Sequence, residues 1–174
     1  MDKFQDKFRI PSARLKGYDY SSNGMYFITI KTKNDRHYFG EFNNNDNELQ
    51  KTIIGNIANE YWLKIAELYD YVHLDDYVLM PNHIHGILMI NKMENPKEDS
   101  NKFGVQKNNL ASIVRGFKST TKKFANENNI EFEWLSRFHD RVIRNEKELN
   151  EIRNYIFENP AKWIEYRNRL NGNL

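Results

Sequence analysis

Apolar residues recur at every second position in several stretches of the chain, and this alternation predicts β-strands. The first stretch contains Tyr26, Ile28 and Ile30. The other strand-like stretches are 37–42, which is short, 72–80, 83–90 and part of 132–143. Because Pro81-Asn82 is a turn sequence, the stretches on either side of it form a predicted hairpin.

Apolar residues recur at helical spacing in the intervening stretches, which predicts α-helices. The first predicted helix covers 52–68, the second runs from about Leu110 to Asn126, and the third begins at Glu146. Pro160 is expected to end or kink the third helix, and a last helical stretch covers 162–170.

The predicted order is strand, helix, strand, strand, helix, strand, followed by further helix. This β-α-β-β-α-β order is that of a ferredoxin-like α+β fold, with an antiparallel sheet, helices packed on one face and terminal extensions. We expect one domain over 1–174, with its core at about 24–163, an N-terminal arm at 1–23 and a C-terminal extension at 164–174. The polar stretch 91–109 is the expected flexible loop.

The composition excludes several classes of protein. The 174 residues include 39% hydrophobic and 14% aromatic residues, so the chain has enough apolar side chains to bury a core. There is no cysteine, which excludes disulfides, thiolate zinc sites and cysteine nucleophiles. No apolar run approaches the roughly 20 residues needed to span a bilayer, and the charged N-terminus does not resemble a secretory signal. We therefore expect a cytoplasmic protein with no membrane partner.

His83 and His85 are the first candidates for chemistry. Residues two apart on a strand point to the same face, so the two imidazoles project side by side and can bind one metal ion. The ordinary alternative is a hairpin with two polar side chains on its solvated face. Ile84, Leu88 and Ile90 make the opposite face of this strand apolar, which favours a polar site at one end of a packed strand.

Tyr155 and Asn159 are the second pair of candidates. They lie one turn apart, beside the apolar stripe of the third predicted helix. Each also has an ordinary interpretation, because a tyrosine at such an edge often packs with its hydroxyl in water and an asparagine before Pro160 can cap a helix.

Basic residues are concentrated in one part of a chain whose net charge is only +2. Residues 102–125 include six Lys or Arg and no Asp or Glu, and three arginines follow in the last predicted strand and just after it. Although basic faces are often merely solvated, so uneven a distribution predicts a phosphate-binding surface. The candidate DNA-binding residues are Arg115, Lys118, Lys122, Lys123, Arg137, Arg141 and Arg144.

Four sequence blocks together resemble one family. The run LDDYVLMPNHIHGI at 74–87 is similar to the MPNHxHG signature of the REP-associated tyrosine transposases, relatives of the single-tyrosine HUH insertion-sequence transposases. The other blocks follow in the same order and are IVRGFKS at 113–119, FHDRVIRNE at 138–146 and YIFENP at 155–160. Arg141 departs from the pattern, since many members carry His at that position.

The resemblance implies a ferredoxin-like fold with a divalent metal held by His83 and His85, Tyr155 as nucleophile and Asn159 as a third ligand. The implied activity is nicking and joining of single-stranded or hairpin DNA through a 5′-phosphotyrosine intermediate, by a monomer or homodimer. A tyrosine hydroxyl has a pKa of about 10 and needs such help to attack a phosphate near pH 7.

Two imidazoles and an amide oxygen favour Mg²⁺ or Mn²⁺. Zinc would favour a third nitrogen, for which His73 and His139 are candidates, and Glu148, expected in a capping box with Asn145, is a reserve ligand. Two other functions stay open, a DNA-binding module of the same fold without catalysis and a His-ligated zinc hydrolase.

Overall fold

A computed structural model describes residues 3–4, 7–8, 18–43, 48–92, 108–170 and 172. The strands are β1 (Lys3–Phe4), β2 (Lys7–Phe8), β3 (Gly24–Thr32), β4 (Gly40–Phe42), β5 (Leu49–Lys51), β6 (Val72–Met80), β7 (His83–Ile90) and β8 (Trp134–Ile143). The helices are α1 (Ile53–Leu63), α2 (Ile65–Leu68), α3 (Leu110–Glu127) and α4 (Glu146–Leu170), and Lys33–Asp35 form a 3₁₀ turn. Most of the expected arm at 1–23 and of the expected loop at 91–109 lies outside the described residues.

The main sheet has four strands in the order β6-β7-β3-β8, and every neighbouring pair is antiparallel. Helices α1 and α2 lie between β3 and β6 in the chain, and α3 lies between β7 and β8, so the predicted β-α-β-β-α-β order is present. The predicted α+β fold with an antiparallel sheet is confirmed. The expected strand at 37–42 is shorter, and as β4 it pairs with β5 in a separate ribbon.

One face of the main sheet is covered by α1 and α3. Trp62 and Phe117 from these helices pack edge to face, 5.6 Å between ring centroids, over the buried Ile28 and Leu88 of the sheet. Gly86 lies beneath Trp62, and a Cβ atom at this position would overlap the indole ring. This close approach explains the glycine that follows the two histidines.

The opposite face of the sheet is covered in part by α4. Its buried residues Leu149, Ile152 and Ile156 pack against Ile87 and Ile143 of the sheet. The two helices within the β-α-β-β-α-β order thus share one face, as predicted, while the later helix α4 occupies the other face, which also carries the histidines.

Two predicted helix boundaries were wrong. The first helix is interrupted at Lys64 and continues as the short α2. Helix α4 does not end at Pro160 but continues through it for 25 residues in total, so the separate stretch at 162–170 belongs to the same helix. Helix α4 begins at Glu146, as predicted, and the Glu148 backbone N–H donates to the N-cap Asn145 Oδ1 at 2.9 Å. The Glu148 carboxylate accepts from the Arg144 backbone N–H and not from that of Asn145, so the expected capping box is only half present. None of the helices in the described residues is long and apolar enough to cross a bilayer.

Candidate active site

His83 and His85 lie side by side at the start of β7, on the face covered by α4. Their ring centroids are 4.5 Å apart, and only 8% and 7% of these residues is exposed. The register pairs His83 with Lys31 and His85 with Thr29 of β3. Directly paired residues of an antiparallel sheet point to the same face, so β3 contributes side chains to the surroundings of both imidazoles.

Asn82 fixes the orientation of His83. The amide Nδ2 of Asn82 donates to the Asp35 carbonyl at 3.2 Å, so its Oδ1 atom is the one that faces the imidazole. This Oδ1 lies 2.5 Å from His83 Nδ1, and an amide oxygen only accepts. His83 Nδ1 therefore carries the proton, and the lone pair of the ring is on Nε2.

Two residues of the neighbouring strand β3, Thr29 and Phe27, hold the ring of His85 in place. Thr29 Oγ1 lies 2.9 Å from His85 Nδ1, within hydrogen-bond distance. The Phe27 ring stacks on the imidazole at 5.3 Å between centroids. With Nδ1 engaged by Thr29, the Nε2 atom of His85 faces α4.

Both imidazoles are neutral near pH 7. Burial, with a smaller effect of the neighbouring His85 and of the Lys31 charge, lowers the pKa of His83 to about 3. Burial, followed by the Lys31 charge, lowers the pKa of His85 to about 4. Neutral imidazole is the form that binds metal ions, so the site keeps two nitrogen donors in the right protonation state.

Tyr155 of α4 reaches the imidazole pair from the opposite side of the site. Its hydroxyl lies 3.2 Å from His85 Nε2, and its ring packs edge to face against Phe27 at 5.9 Å between centroids. The side chain remains 41% exposed. The structure thus brings together three of the four residues predicted for catalysis and metal binding, and Tyr155 is partly exposed to solvent.

Asn159 lies one helical turn after Tyr155, and Trp163 lies one turn further. Trp163 packs against His83 at 5.9 Å between ring centroids, so Tyr155 and Trp163 contact the two histidines separately. Asn159 is partly buried and lies between these two contacts on the same helix face. Its role as a metal ligand stays a prediction.

A bidentate ion pair attaches α4 to the edge of the sheet next to Tyr155. Arg153 donates from Nε to Asp75 Oδ1 at 2.9 Å and from Nη2 to Asp75 Oδ2 at 2.5 Å. Asp75 lies at an irregularity of β6, between the regularly paired Leu74 and Tyr77. The hydrogen bonds from Arg153 lower the pKa of the Asp75 carboxyl, although burial opposes this change.

The described residues contain no group of three or more His, Cys, Asp and Glu side chains arranged to hold a metal ion. The reserve ligands are engaged or placed elsewhere. Glu148 pairs with Arg141 and accepts from the Arg144 backbone N–H at 2.9 Å. His73 pairs with Met89 near the other end of the hairpin. His139 of β8 pairs with Thr29 of β3, so it lies on the same face as His85 but two strands away. Among the described residues, Asn159 is therefore the predicted third ligand that the position on α4 favours.

The candidate DNA-binding residues are divided between the two faces of the sheet. Lys118 and Lys122 donate to backbone carbonyls of the segment that leads into β8 and of β8 itself, and thus support the fold. Lys123 pairs with Glu127, and Arg141 pairs with Glu148. Of the remaining candidates, Arg115, Arg137 and Arg144 are exposed. The structure does not bring these seven residues into one patch, and their binding role stays a prediction.

Several residues at the site were not assigned a role from the sequence. Thr29, Lys31 and Phe27 lie on β3, and only the pairing of β3 with β7 shows that they face the histidines. Alternation along β3 does separate them from the buried Tyr26, Ile28 and Ile30, but it does not reveal which neighbour they meet. Trp163 likewise depends on the packing of α4 through Pro160.

The α+β fold described above is similar to that of a solved transposase. A solved structure of a REP-associated tyrosine transposase bound to a REP hairpin matches with a TM-score of 0.58 and 22% identity, over 87% of this chain and 74% of that chain. A crystal structure of a protein from Deinococcus radiodurans is less similar, with a TM-score of 0.43 and 15% identity over 83% of this chain and 95% of that chain.

A comparison with known sequences identifies a relative of this chain. An uncharacterized protein of Haemophilus influenzae is 36% identical over 164 residues, covering 87% of this chain and 88% of that protein. The chain therefore belongs to the same family as this Haemophilus influenzae protein. No family model matches the chain.

Proposed function

We propose that the protein is a metal-dependent transposase-like enzyme that nicks and rejoins single-stranded or hairpin DNA through a covalent tyrosine link. The observation that carries this proposal is the Tyr155 hydroxyl at 3.2 Å from His85, beside the neutral His83. The shared fold with a hairpin-bound transposase and the sequence blocks around these residues support it. The exposure of Tyr155 agrees with a nucleophile that must reach a polymer substrate.

In the proposed first step, the Tyr155 oxygen attacks the phosphorus atom of a phosphodiester. An O–P bond forms to the tyrosine, the P–O3′ bond breaks, and the phenol proton passes through solvent to the departing 3′-oxygen. The products are a 5′-phosphotyrosine and a free 3′-OH. Because the phosphodiester bond energy is retained, another 3′-OH can attack the link and join two strands without ATP.

The donor set fits a divalent cation. His83 and His85 provide two neutral ring nitrogens, and Asn159 would add an amide oxygen, which leaves positions open for substrate. Mg²⁺ or Mn²⁺ bound there would polarise a non-bridging phosphate oxygen. Phe27 and Thr29 would keep the His85 ring in place, and Arg153 would hold the helix that carries the nucleophile.

The test is formation of a covalent protein–DNA adduct. The protein is incubated with 3′-labelled hairpin oligonucleotides with randomised flanks and Mn²⁺, and adducts are detected on a denaturing gel. We expect adducts with the unaltered protein and none with Tyr155→Phe, while DNA binding by the variant stays nearly unchanged. Tyr166→Phe is the matched control, because Tyr166 is an exposed tyrosine on the same helix, about three turns after Tyr155.

Adduct formation by Tyr155→Phe at the normal rate would refute the assignment of the nucleophile. Binding of DNA by the unaltered protein without any adduct, in the presence of either metal, would instead support a DNA-binding module that does not cleave. Loss of adducts on addition of EDTA and their return with Mn²⁺ are expected from the metal requirement.

A further inference from the structure

Lys31 is a cationic side chain at the site that the proposed mechanism does not use. It pairs directly with His83 across β3 and β7, so its side chain is on the face of the sheet that carries both imidazoles. The register between β3 and β8 is irregular between Ile30 and Thr32, and no β8 residue in the described part of the chain pairs with Lys31. A bulge of β8 at 135–137 therefore lies opposite Lys31, between the Ile30–Phe138 and Thr32–Trp134 pairs.

The ammonium group of Lys31 is held by a single described carboxylate. Lys31 Nζ lies 2.5 Å from Asp35 Oδ1, and the side chains of Lys31 and Asp35 are 36% and 61% exposed. Ion pairs this exposed contribute little to stability, so an incoming anion can replace the carboxylate at low cost. The positive charge of Lys31 also lowers the pKa of both imidazoles, which agrees with its proximity to them.

The backbone conformation of the turn at 34–35 places the Asp35 carboxylate next to the site. Asn34 and Asp35 both have positive φ angles, 57° and 51°, a conformation that asparagine and aspartate tolerate better than most residues. The Asp35 carbonyl accepts from Asn82, the residue that orients His83. One short turn thus connects the counter-ion of Lys31 to the orientation of His83.

We propose that Lys31 forms a binding subsite for a phosphodiester group of the DNA beside the histidine pair, and that Asp35 occupies this subsite when no DNA is bound. This inference rests on the proposed function for the identity of the ligand as DNA. Lys31 donates to a non-bridging oxygen of the phosphate and offsets its negative charge, while the displaced Asp35 carboxylate turns towards solvent. Lys31 is then a substrate-binding residue of the reaction and not a structural cation.

The inference is tested by titrating the metal-free protein with inorganic phosphate at low ionic strength, near pH 7.5. The imidazole signals of His83 and His85 are followed by NMR. We expect saturable changes in both signals, a phosphate affinity at least about tenfold weaker in Lys31→Met, and an affinity near normal in Lys31→Arg. Asp35→Asn is expected to bind phosphate several-fold more tightly, because the competing carboxylate is removed.

Lys64→Met is the matched control, because Lys64 forms a similar exposed ion pair with Glu60 on α1, on the other side of the sheet. It is expected to bind phosphate like the unaltered protein. Amide signals of Lys31→Met that match those of the unaltered protein at positions away from residue 31 show that the variant is folded. Equal phosphate affinity of Lys31→Met and the unaltered protein, or an equal loss in Lys64→Met, would overturn the inference.

The result does not depend on DNA cleavage. If phosphate binding requires Lys31 but no covalent adduct with Tyr155 is ever formed, the anion subsite stands and the proposed function fails. If adducts form and Lys31→Met binds phosphate and forms adducts normally, the proposed function stands and the subsite is wrong.

Discussion

The two histidines at the site are oriented by neighbours of different kinds. His83 is fixed by Asn82, which precedes it in the chain, and His85 is fixed by Thr29 on the adjacent strand. In both cases Nδ1 is engaged, so Nε2 is the nitrogen directed into the site, and that of His85 lies 3.2 Å from the Tyr155 hydroxyl. Partners of this kind set the tautomer and the ring orientation of metal-binding histidines, and their loss weakens metal binding.

Thr29→Val tests this arrangement because valine keeps the shape of threonine and removes the hydroxyl. We expect the Mn²⁺ affinity of the DNA-free protein to decrease by about 10- to 100-fold, measured by isothermal titration calorimetry, since His85 Nδ1 loses its partner. Thr120→Val is the control, because the Thr120 hydroxyl donates to the Gly116 carbonyl within α3. Equal Mn²⁺ affinities of Thr29→Val and the unaltered protein would contradict the role given to Thr29.

Helix α4 is the element that brings Tyr155 to the sheet, and two kinds of contact hold it there. Its apolar stripe packs on Ile87 and Ile143, and Arg153 binds Asp75 on the edge strand β6. The side chain of Asp75 is only 17% exposed, so removing Arg153 leaves a poorly solvated carboxylate behind.

Arg153→Met is therefore expected to lower the free energy of unfolding by about 1 kcal/mol, measured by urea denaturation. Lys162→Met, which breaks the more exposed pair with Glu158 on the same helix, is expected to have less than about half this effect. The loss of unfolding free energy in the double variant Arg153→Met/Asp75→Asn should be smaller than the sum of the losses in Arg153→Met and Asp75→Asn. Additive effects of the two changes would show that the ion pair contributes no coupling.

The strands and helices were largely predictable because their signals are local. The hairpin at 72–80 and 83–90 and the helix beginning at Leu110 follow from apolar spacing and turn residues, and they agree with the structure. The break at Lys64 and the continuation of α4 through Pro160 were not predicted. Both depend on how the helices pack on the sheet, and packing overrides local helix signals.

The whole molecule buries two imidazoles in their neutral form, and this links its stability to pH. In the unfolded chain these histidines take up protons below about pH 6.5, whereas the folded protein keeps them neutral down to about pH 4 for His85 and about pH 3 for His83. The unfolded state thus binds more protons in this range, and stability must decrease as the pH is lowered from about 6.5.

At pH 5.5 we expect a loss on the order of 1 kcal/mol per buried histidine relative to pH 7.5, measured by urea unfolding in EDTA. His83→Gln should show a smaller loss than the unaltered protein over the same range, because one of the two groups is removed. An identical pH dependence of the two proteins would mean that His83 is not held neutral by the fold.

Local spacing along the sequence predicted some residues of the site, whereas others depend on contacts between distant parts of the chain. Period-two spacing identified His83 and His85 as neighbours, and helical spacing placed Tyr155 and Asn159 on one face. Their meeting depends on α4 crossing back over the sheet, which local spacing does not specify. Lys31 and Thr29 enter the site only through the pairing of β3 with β7, a contact between residues more than 50 positions apart.

Pro160 gives α4 a property that follows from its missing N–H group. The Ile156 carbonyl receives no hydrogen bond from residue 160, so the continuous helix lacks one backbone bond between the turn that carries Tyr155 and the turn that carries Trp163. A helix bends more easily where such a bond is missing, so the segment after Pro160 can change its tilt relative to the segment that carries Tyr155. A change of tilt at Pro160 would therefore shift Trp163 against His83 and leave the contact between Tyr155 and His85 in place.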